Sequence, residues 1–261
     1  MIGKGTYRRM PKEDLLFYSA YESFYAMAKE SKAFQAFCRD AFDADFSQDG
    51  FSDKAQIDRI LPYVPPKNAC ILDVGCGNGK MLGYLQQNTG ARIFGFDYST
   101  EAIETANRLF PTDSDFRVGI IGEAEYPEES FDVITSMDTI YFASDMTAFV
   151  AQVKRWLKPG GVFFVGYQEG DVIPKTQGME TSEIAKALLQ NRMSFSWQDV
   201  TRETYDLLKR KREAALAHKG DFMDEGNEAW FDLLMMQTES VTADYEVFRR
   251  AIARYLVVAN K

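Results

Sequence analysis

The run Ile71-Leu-Asp-Val-Gly-Cys-Gly-Asn-Gly-Lys80 constrains the fold more than any other stretch of the chain. Ile71, Leu72 and Val74 read as a buried strand. Gly75, Gly77 and Gly79 then alternate through a tight turn into a helix. Glycine reaches positive φ and carries no Cβ to block an approaching ligand. A helix opening at such a turn points free N–H groups at whatever lies above it. A chain built this way is expected to be α/β.

The spacing separates two nucleotide-binding readings. In the dinucleotide fingerprint G-x-G-x-x-G, counted from Gly75, the third glycine would fall at Lys80. Here the glycines alternate and Asp73 precedes them. A pyrophosphate sits poorly beside that acid, whereas a cationic sulfonium and amino group sit well. D-x-G-x-G-x-G resembles the first motif of the class I S-adenosylmethionine-dependent methyltransferases. The resemblance implies that Asp73, Gly75, Cys76 and Gly77 hold S-adenosylmethionine, which leaves as S-adenosylhomocysteine. A glycine turn in some other α/β protein is the plain alternative.

Further segments continue the register. Arg92–Asp97 reads as the next strand, with Asp97 at its carboxyl end, 22 residues after Gly75. An acid there accepts both ribose hydroxyls and repels a 2′-phosphate, which counts against NADP. Tyr98 is placed to lie on the adenine face, and Ser99 to cap a helix carrying Ile103, Ala106 and Leu109. A solvated strand-end turn is the alternative for Asp97. Gly122-Glu-Ala-Glu125 resembles the family's G-D-A-E segment, which implies that Glu123 and the N–H of Ala124 hold the adenine amine. Glu123 is a methylene longer than the usual Asp. Phe131–Ser136 reads as a fourth strand that brings Ser136 and Met137 to the cofactor edge. Trp156-Leu-Lys-Pro-Gly-Gly-Val162 resembles the family's L-K-P-G-G turn. A helix is expected to end at Lys158, and Gly160 and Gly161 to reverse the chain into strand Val162–Tyr167. The resemblance covers roughly residues 55–168.

The alternation of strands and helices predicts a doubly wound, mostly parallel seven-stranded sheet, a Rossmann-like methyltransferase fold. Ligands in such sheets bind beyond the carboxyl ends of the strands, at the switch point. Residues 1–54 are expected to form an N-terminal helical arm or lid, helical over 12–44 by the spacing of its aromatic residues. Ser52 is expected to cap a helix running to about Tyr63. The S-adenosylmethionine-binding domain then covers 55–261. After Tyr167 come a helix at Glu183–Gln190, a strand at Ser194–Val200, helices near 202–218, 226–237 and 243–251, and a last strand at Arg254–Val258. About 50 residues separate the last two strands, far more than a hairpin needs. They read as a helical cap, about 201–251, facing the arm; a helical dimer interface is the alternative.

Composition narrows the partners. Thirty Lys and Arg against 39 Asp and Glu leave a net charge of −9. That balance disfavours a nucleic-acid substrate, and the one basic run, Lys209-Arg-Lys-Arg212, reads as a solvated helix face. No apolar run approaches the ~20 residues that span a bilayer, and the opening residues show no apolar signal core. Cys38, Cys70 and Cys76 are odd in number and scattered, which fits a reducing, cytoplasmic setting. Cys76 reads as a small residue that fits its turn, with a reactive thiol as the alternative. A single histidine, His218, leaves no His-based metal site or triad, and no metal is expected. A monomer or homodimer fits equally.

Methyl transfer from a sulfonium is an in-line displacement in which the protein mainly aligns the reactants. A base is needed only when the nucleophile arrives protonated. After the fourth strand, Asp138 reads as an amine holder or base, or else as a helix N-cap. Tyr141 and Phe142, with Tyr167, are candidates for a substrate wall, or for packing under the cap. The aromatic arm, the cap and the closing Arg-Tyr-Leu-Val-Val resemble the small-amine and phosphobase methyltransferases. Those use a Tyr from the arm and a His after the fourth strand, where this chain has Phe142. Tyr18, Tyr21 and Tyr25 are the candidates for the arm's tyrosine, as core residues or as ring walls for a cationic amine; Tyr21 is the catalytic candidate. The expected activity is methyl transfer to N or O of a small molecule. The alternatives are a protein or peptide methyltransferase, a non-catalytic S-adenosylmethionine-binding protein and, last, a dehydrogenase.

Overall fold

The computed structural model describes residues 15–261, so the first residues of the expected arm, up to 14, lie outside the described residues. At the centre stands β1 (Cys70–Val74), buried from Ile71 to Val74. Apart from Asp73 near its carboxyl end it is apolar, as a strand covered on both sides is expected to be. It pairs in parallel with β2 (Arg92–Asp97) and β4 (Phe131–Met137). Outside these lie β3 (Ser114–Val118) and β5 (Leu157–Glu169), also parallel. The last strand, β7 (Ala253–Asn260), runs antiparallel to β5 and to the edge strand β6 (Ser194–Asp199). The order is β3-β2-β1-β4-β5-β7-β6, the doubly wound, mostly parallel sheet that the sequence predicts.

Helices cover both faces. On one, α3 (Lys54–Asp58), α4 (Lys80–Thr89) and α5 (Thr100–Leu109) bury Ile57, Leu82, Leu85 and Ala106. On the other, α6 (Met146–Trp156) and α7 (Glu183–Gln190) bury Phe149, Val153, Ile184 and Leu188. Side-chain caps start several of them: Ser99 accepts from Ala102 N at 3.1 Å, and Asp145 from Ala148 N at 2.9 Å. Each satisfies an orphan amide of the first turn.

Several boundaries differ from expectation. The arm is two helices, α1 (Tyr18–Glu30) and α2 (Lys32–Phe42), because Ser31 leaves the helix to cap the second through Phe34 N. Asp53, not Ser52, caps α3, which ends at Asp58; Leu61–Tyr63 continues only as a 3₁₀ turn. The helix before the Pro-Gly-Gly turn stops at Trp156, and that turn is absorbed into β5, whose register slips between Phe131 and Val133. The third strand, Ser114–Val118, has an exposed outer half and so no clean apolar period.

Between β6 and β7 the chain builds α8 (Thr201–Ala217), α9 (Lys219–Asp224), α10 (Glu228–Gln237) and α11 (Tyr245–Ala251). The first three pack on the arm through a cluster that includes Phe34, Phe37, Phe42, Leu207, Phe222 and Phe231, and α11 packs on α8 through Phe248 and Tyr205. The basic run on α8 is not a solvated face. Lys211 is 1% exposed and its ammonium lies over the rings of Phe42 and Phe51. Arg210 donates to Asp53 at 2.6 Å, and Arg212 to Met235 O at 3.0 Å. The run fastens cap to arm because an amphipathic cation buries its stem and pairs its head. No described helix is long and apolar enough to cross a membrane.

Candidate functional site

The glycine turn has the shape its spacing demands. Gly75 and Gly77 have φ of 73° and 52°. A Cβ on Gly75 would stand 2.6 Å from Thr139 Cγ2, and one on Gly77 would strike the Tyr25 hydroxyl. The amides of Gly75 and Cys76 donate to Phe96 O, which locks the turn to the end of β2. Cys76 is buried, and burial holds its thiol well above the ordinary range, so it stays protonated and packs as a small residue.

Two carboxylates face each other across this turn. Asp97 Oδ2 accepts from Gly77 N at 3.0 Å and Oδ1 from Ser99 N at 2.9 Å. Asp73 Oδ1 accepts from Thr135 Oγ1 at 2.6 Å. Both acids are more than nine-tenths buried, and neither has a basic partner among the described ion pairs. Desolvation pushes Asp73 up to about 7, with the Asp97 charge adding to it. Desolvation likewise pushes Asp97 up to about 6, against the two backbone amides. Carboxylates held this way favour a ligand that brings hydrogen-bond donors or positive charge.

The loop 45–53 closes one side. Asn78 Nδ2 donates to Ser47 O at 3.0 Å, and Lys80 Nζ to Asp45 and Ser47 at 2.8 and 2.7 Å. Asp138 ties the far end of this loop to the sheet. Its carboxylate takes Arg254 Nε and Nη2, each at 2.9 Å, and also Ser52 Oγ at 3.2 Å and Phe51 N at 3.3 Å. Arg254 is fully buried and donates as well to Ser52 and Gln56. Asp138 is therefore neither an N-cap nor an open base: its oxygens are occupied by an ion pair and two further donors. It also sits at φ 61°, outside any helix.

Two cavities adjoin here. The first, about 160 Å³, lies over the glycine turn and reaches Asp73, Asp97, Tyr98, Met137 and the Gly119–Ile121 segment. The second, about 530 Å³, lies between arm and cap, under α8 and α10. They share Tyr21, Asp49, Asp138 and Phe142. Tyr25 lines the first and Tyr141 the second. Burial raises the hydroxyls of Tyr21, Tyr25 and Tyr141 far above the ordinary range, so each is a donor rather than a base.

Five expected residues, Glu123, Ala124, Ser136, Tyr167 and Tyr18, stand elsewhere. Glu123 is exposed on a turn in which the amides of Glu123 and Ala124 both donate to Ile120 O. The wall at that end is Gly119-Ile120-Ile121, because the chain turns straight after β3, where Gly119 N donates to Asp97 O at 2.9 Å. Ser136 is fully buried and bonds the Thr139 hydroxyl at 2.7 Å, bracing the residue above Gly75. Tyr167 is a core residue packed with Met179 and Ile184, away from both cavities. Tyr18 lines neither cavity; its ring meets Tyr98 edge-on at 5.5 Å. The sequence reading did not single out Asp49, Thr135, Gln168 or Gln237, and it took Lys211 for part of a solvated face. Thr135 left no more trace than its polar neighbours Asp132 and Ser136 in the same strand. Among the described residues no group of three or more His, Cys, Asp or Glu could hold a metal.

Residues 72–165 match a family model described as a methyltransferase domain. Phosphoethanolamine N-methyltransferase 3 of Arabidopsis thaliana is 30% identical over 183 residues, covering 63% of this chain and 37% of the relative. The chain spans between a quarter and a half of the first curated relatives it matches, from 24% to 47%. A phosphoethanolamine N-methyltransferase 2 of Haemonchus contortus superposes with a TM-score of 0.73 at 18% identity, over 92% of this chain and 60% of that one. The cyclopropane synthase MmaA2 of Mycobacterium tuberculosis gives 0.68 at 17% identity, over 92% and 98%. At these identities the superpositions speak for the fold, and the sequence match speaks for the glycine turn and the strands around it. Over residues 72–165 the chain is similar to the methyltransferase domain, and its fold is that of the solved S-adenosylmethionine-dependent methyltransferases it superposes on.

Proposed function

We propose that this chain binds S-adenosylmethionine over the glycine turn and passes its methyl group to N or O of a small molecule in the second cavity, releasing S-adenosylhomocysteine. The observation that carries the reading is the shared wall of the two cavities, Tyr21, Asp49, Asp138 and Phe142. The residues present fit the donor. The turn is a cradle that a Cβ would fill, and two buried acids wait beside it for donors or positive charge. Asp97 would take the ribose hydroxyls and Asp73 the charged end.

When bound, S-adenosylmethionine supplies an electrophilic methyl on a positively charged sulfur. The chain's own part is to position and enclose. Tyr21 stacks on Tyr25 with ring centroids 6.2 Å apart and closes over the turn. Latches hold α1 down: Glu22 accepts from Thr100 N, and Lys29 pairs with Glu101 at 2.6 Å. We read the arm as a lid and the cap as the roof of the acceptor site. Holding two reactants in line accounts for much of the barrier reduction in such a transfer.

The test is formation of labelled S-adenosylhomocysteine when the protein meets S-adenosylmethionine and a panel of small phenols and amines. Turnover with any of them supports the reading. Cofactor binding with no turnover across the panel favours a non-catalytic binding protein.

A further inference from the structure

We propose that the second cavity takes a largely apolar methyl acceptor whose hydroxyl or unquaternised amine gives its proton to Asp49, with Gln237 holding that carboxylate. The inference rests on the reading of the two cavities as donor and acceptor sites.

The cavity's size and lining set the class. It measures about 530 Å³, within the range that holds a drug-sized ligand. Phe24, Phe51, Trp230, Phe248, Leu208 and Met236 form much of its wall. Among the described lining residues Lys211 is the only Lys or Arg, against Asp49, Asp138 and Asp171. A phosphate asks for several charge-assisted donors, and this lining opposes one.

The unpartnered atoms set the polarity. Gln168 Oε1 and Gln237 Oε1 are buried, line this cavity and have no hydrogen-bond partner. Gln168 is 5% exposed. Gln237 cannot turn its oxygen away without losing the bond from Nε2 to Asp49 Oδ2 at 3.0 Å. Two buried acceptors without donors call for a ligand that brings N–H or O–H groups.

Asp49 is the acid left free to receive the proton. Two carboxylates line both cavities, and Asp138 is committed to Arg254 and two further donors. Asp49 has one oxygen on Gln237; its other oxygen is in an ion pair with Lys211 at 3.9 Å, too long for a hydrogen bond and so still open to a donor. The loop that carries it is pinned at both ends, by Lys80 and Asn78 and by Asp138. In the transfer the acceptor's O–H or N–H bond breaks and its proton passes to Asp49. The acceptor atom forms its bond to the methyl carbon. The carbon–sulfur bond breaks with both electrons going to sulfur, which leaves a neutral thioether. Asp49 then releases the proton to water.

The experiment combines calorimetry and turnover on the full chain saturated with S-adenosylhomocysteine or S-adenosylmethionine. The probes are 4-hexylphenol, hexylbenzene, phosphoethanolamine and a thiophenol already ionised at the assay pH. We expect 4-hexylphenol to bind about tenfold tighter than hexylbenzene, undisturbed by phosphoethanolamine, and Gln237→Leu to erase that preference. Asp49→Asn should slow transfer to 4-hexylphenol about 100-fold and slow transfer to the thiolate only a few-fold, each measured at saturating S-adenosylmethionine. Preferred binding of phosphoethanolamine overturns the acceptor class, as does transfer to neither probe. Equal loss with phenol and thiolate in Asp49→Asn overturns the proton step. Failure of the wild-type chain to bind S-adenosylhomocysteine at all would instead sink the donor-site reading on which the inference rests.

Discussion

At the residue scale, the two acids beside the glycine turn carry most of the account. Asp97→Ala should weaken S-adenosylhomocysteine binding by roughly 2–4 kcal/mol, because ribose hydroxyls would be stranded and two backbone amides orphaned; calorimetry reads it directly. Asp73 has a sign that can be worked out. Burial raises it from 3.8 to about 7 in the folded chain, so between those pH values the folded state holds a proton that the unfolded state has lost. The empty protein therefore loses stability as pH rises through that window. Asp73→Asn should remove the loss and raise the melting temperature of the empty protein at pH 8, while weakening S-adenosylmethionine binding. Melting curves at pH 5 and pH 8 check this, and an equal effect at both pH values would contradict it. Arg254 behaves differently. Arg254→Met would leave Asp138 buried and unpaired, which costs about 3–5 kcal/mol. Pairing it with Asp138→Asn should recover part of that in urea denaturation.

At the element scale, what was legible in the sequence is what neighbouring residues decide. The strand–turn–helix at Ile71–Lys80 and the acid ending β2 are local. Their glycine conformations and the Ser99 cap follow from residue type alone, and the structure places them as the spacing implies. Ser99→Ala should cost about 1 kcal/mol of stability by freeing the Ala102 amide, and it should loosen the bond from the Ser99 amide to Asp97 only slightly. The G-E-A-E segment shows how a motif misleads. It lies three residues beyond the point where the chain turns after β3, so the wall falls on Gly119–Ile121 instead. Lys211 was hidden for another reason. Its run looks like a solvated face until Phe42 and Phe51, from the far end of the chain, fold over it.

At the scale of the whole molecule, the site is an assembly that no single segment announces. Asp49 and Gln237 are 188 residues apart in sequence and meet at 3.0 Å. Arg254 joins the last strand to the loop before the first and to the end of β4. Arm and cap share one aromatic core, so ordering one helps to order the other. A ligand that bridges arm and glycine turn should therefore stabilise the whole chain. At about 100-fold its dissociation constant such a ligand adds ~2.7 kcal/mol, several degrees for a chain of this size. The most direct measurement is thermal unfolding with S-adenosylmethionine, S-adenosylhomocysteine or NAD. A shift of several degrees with both adenosyl ligands and none with NAD is the predicted result. No shift with either adenosyl ligand, or a shift with NAD, would contradict the assignment of the glycine turn.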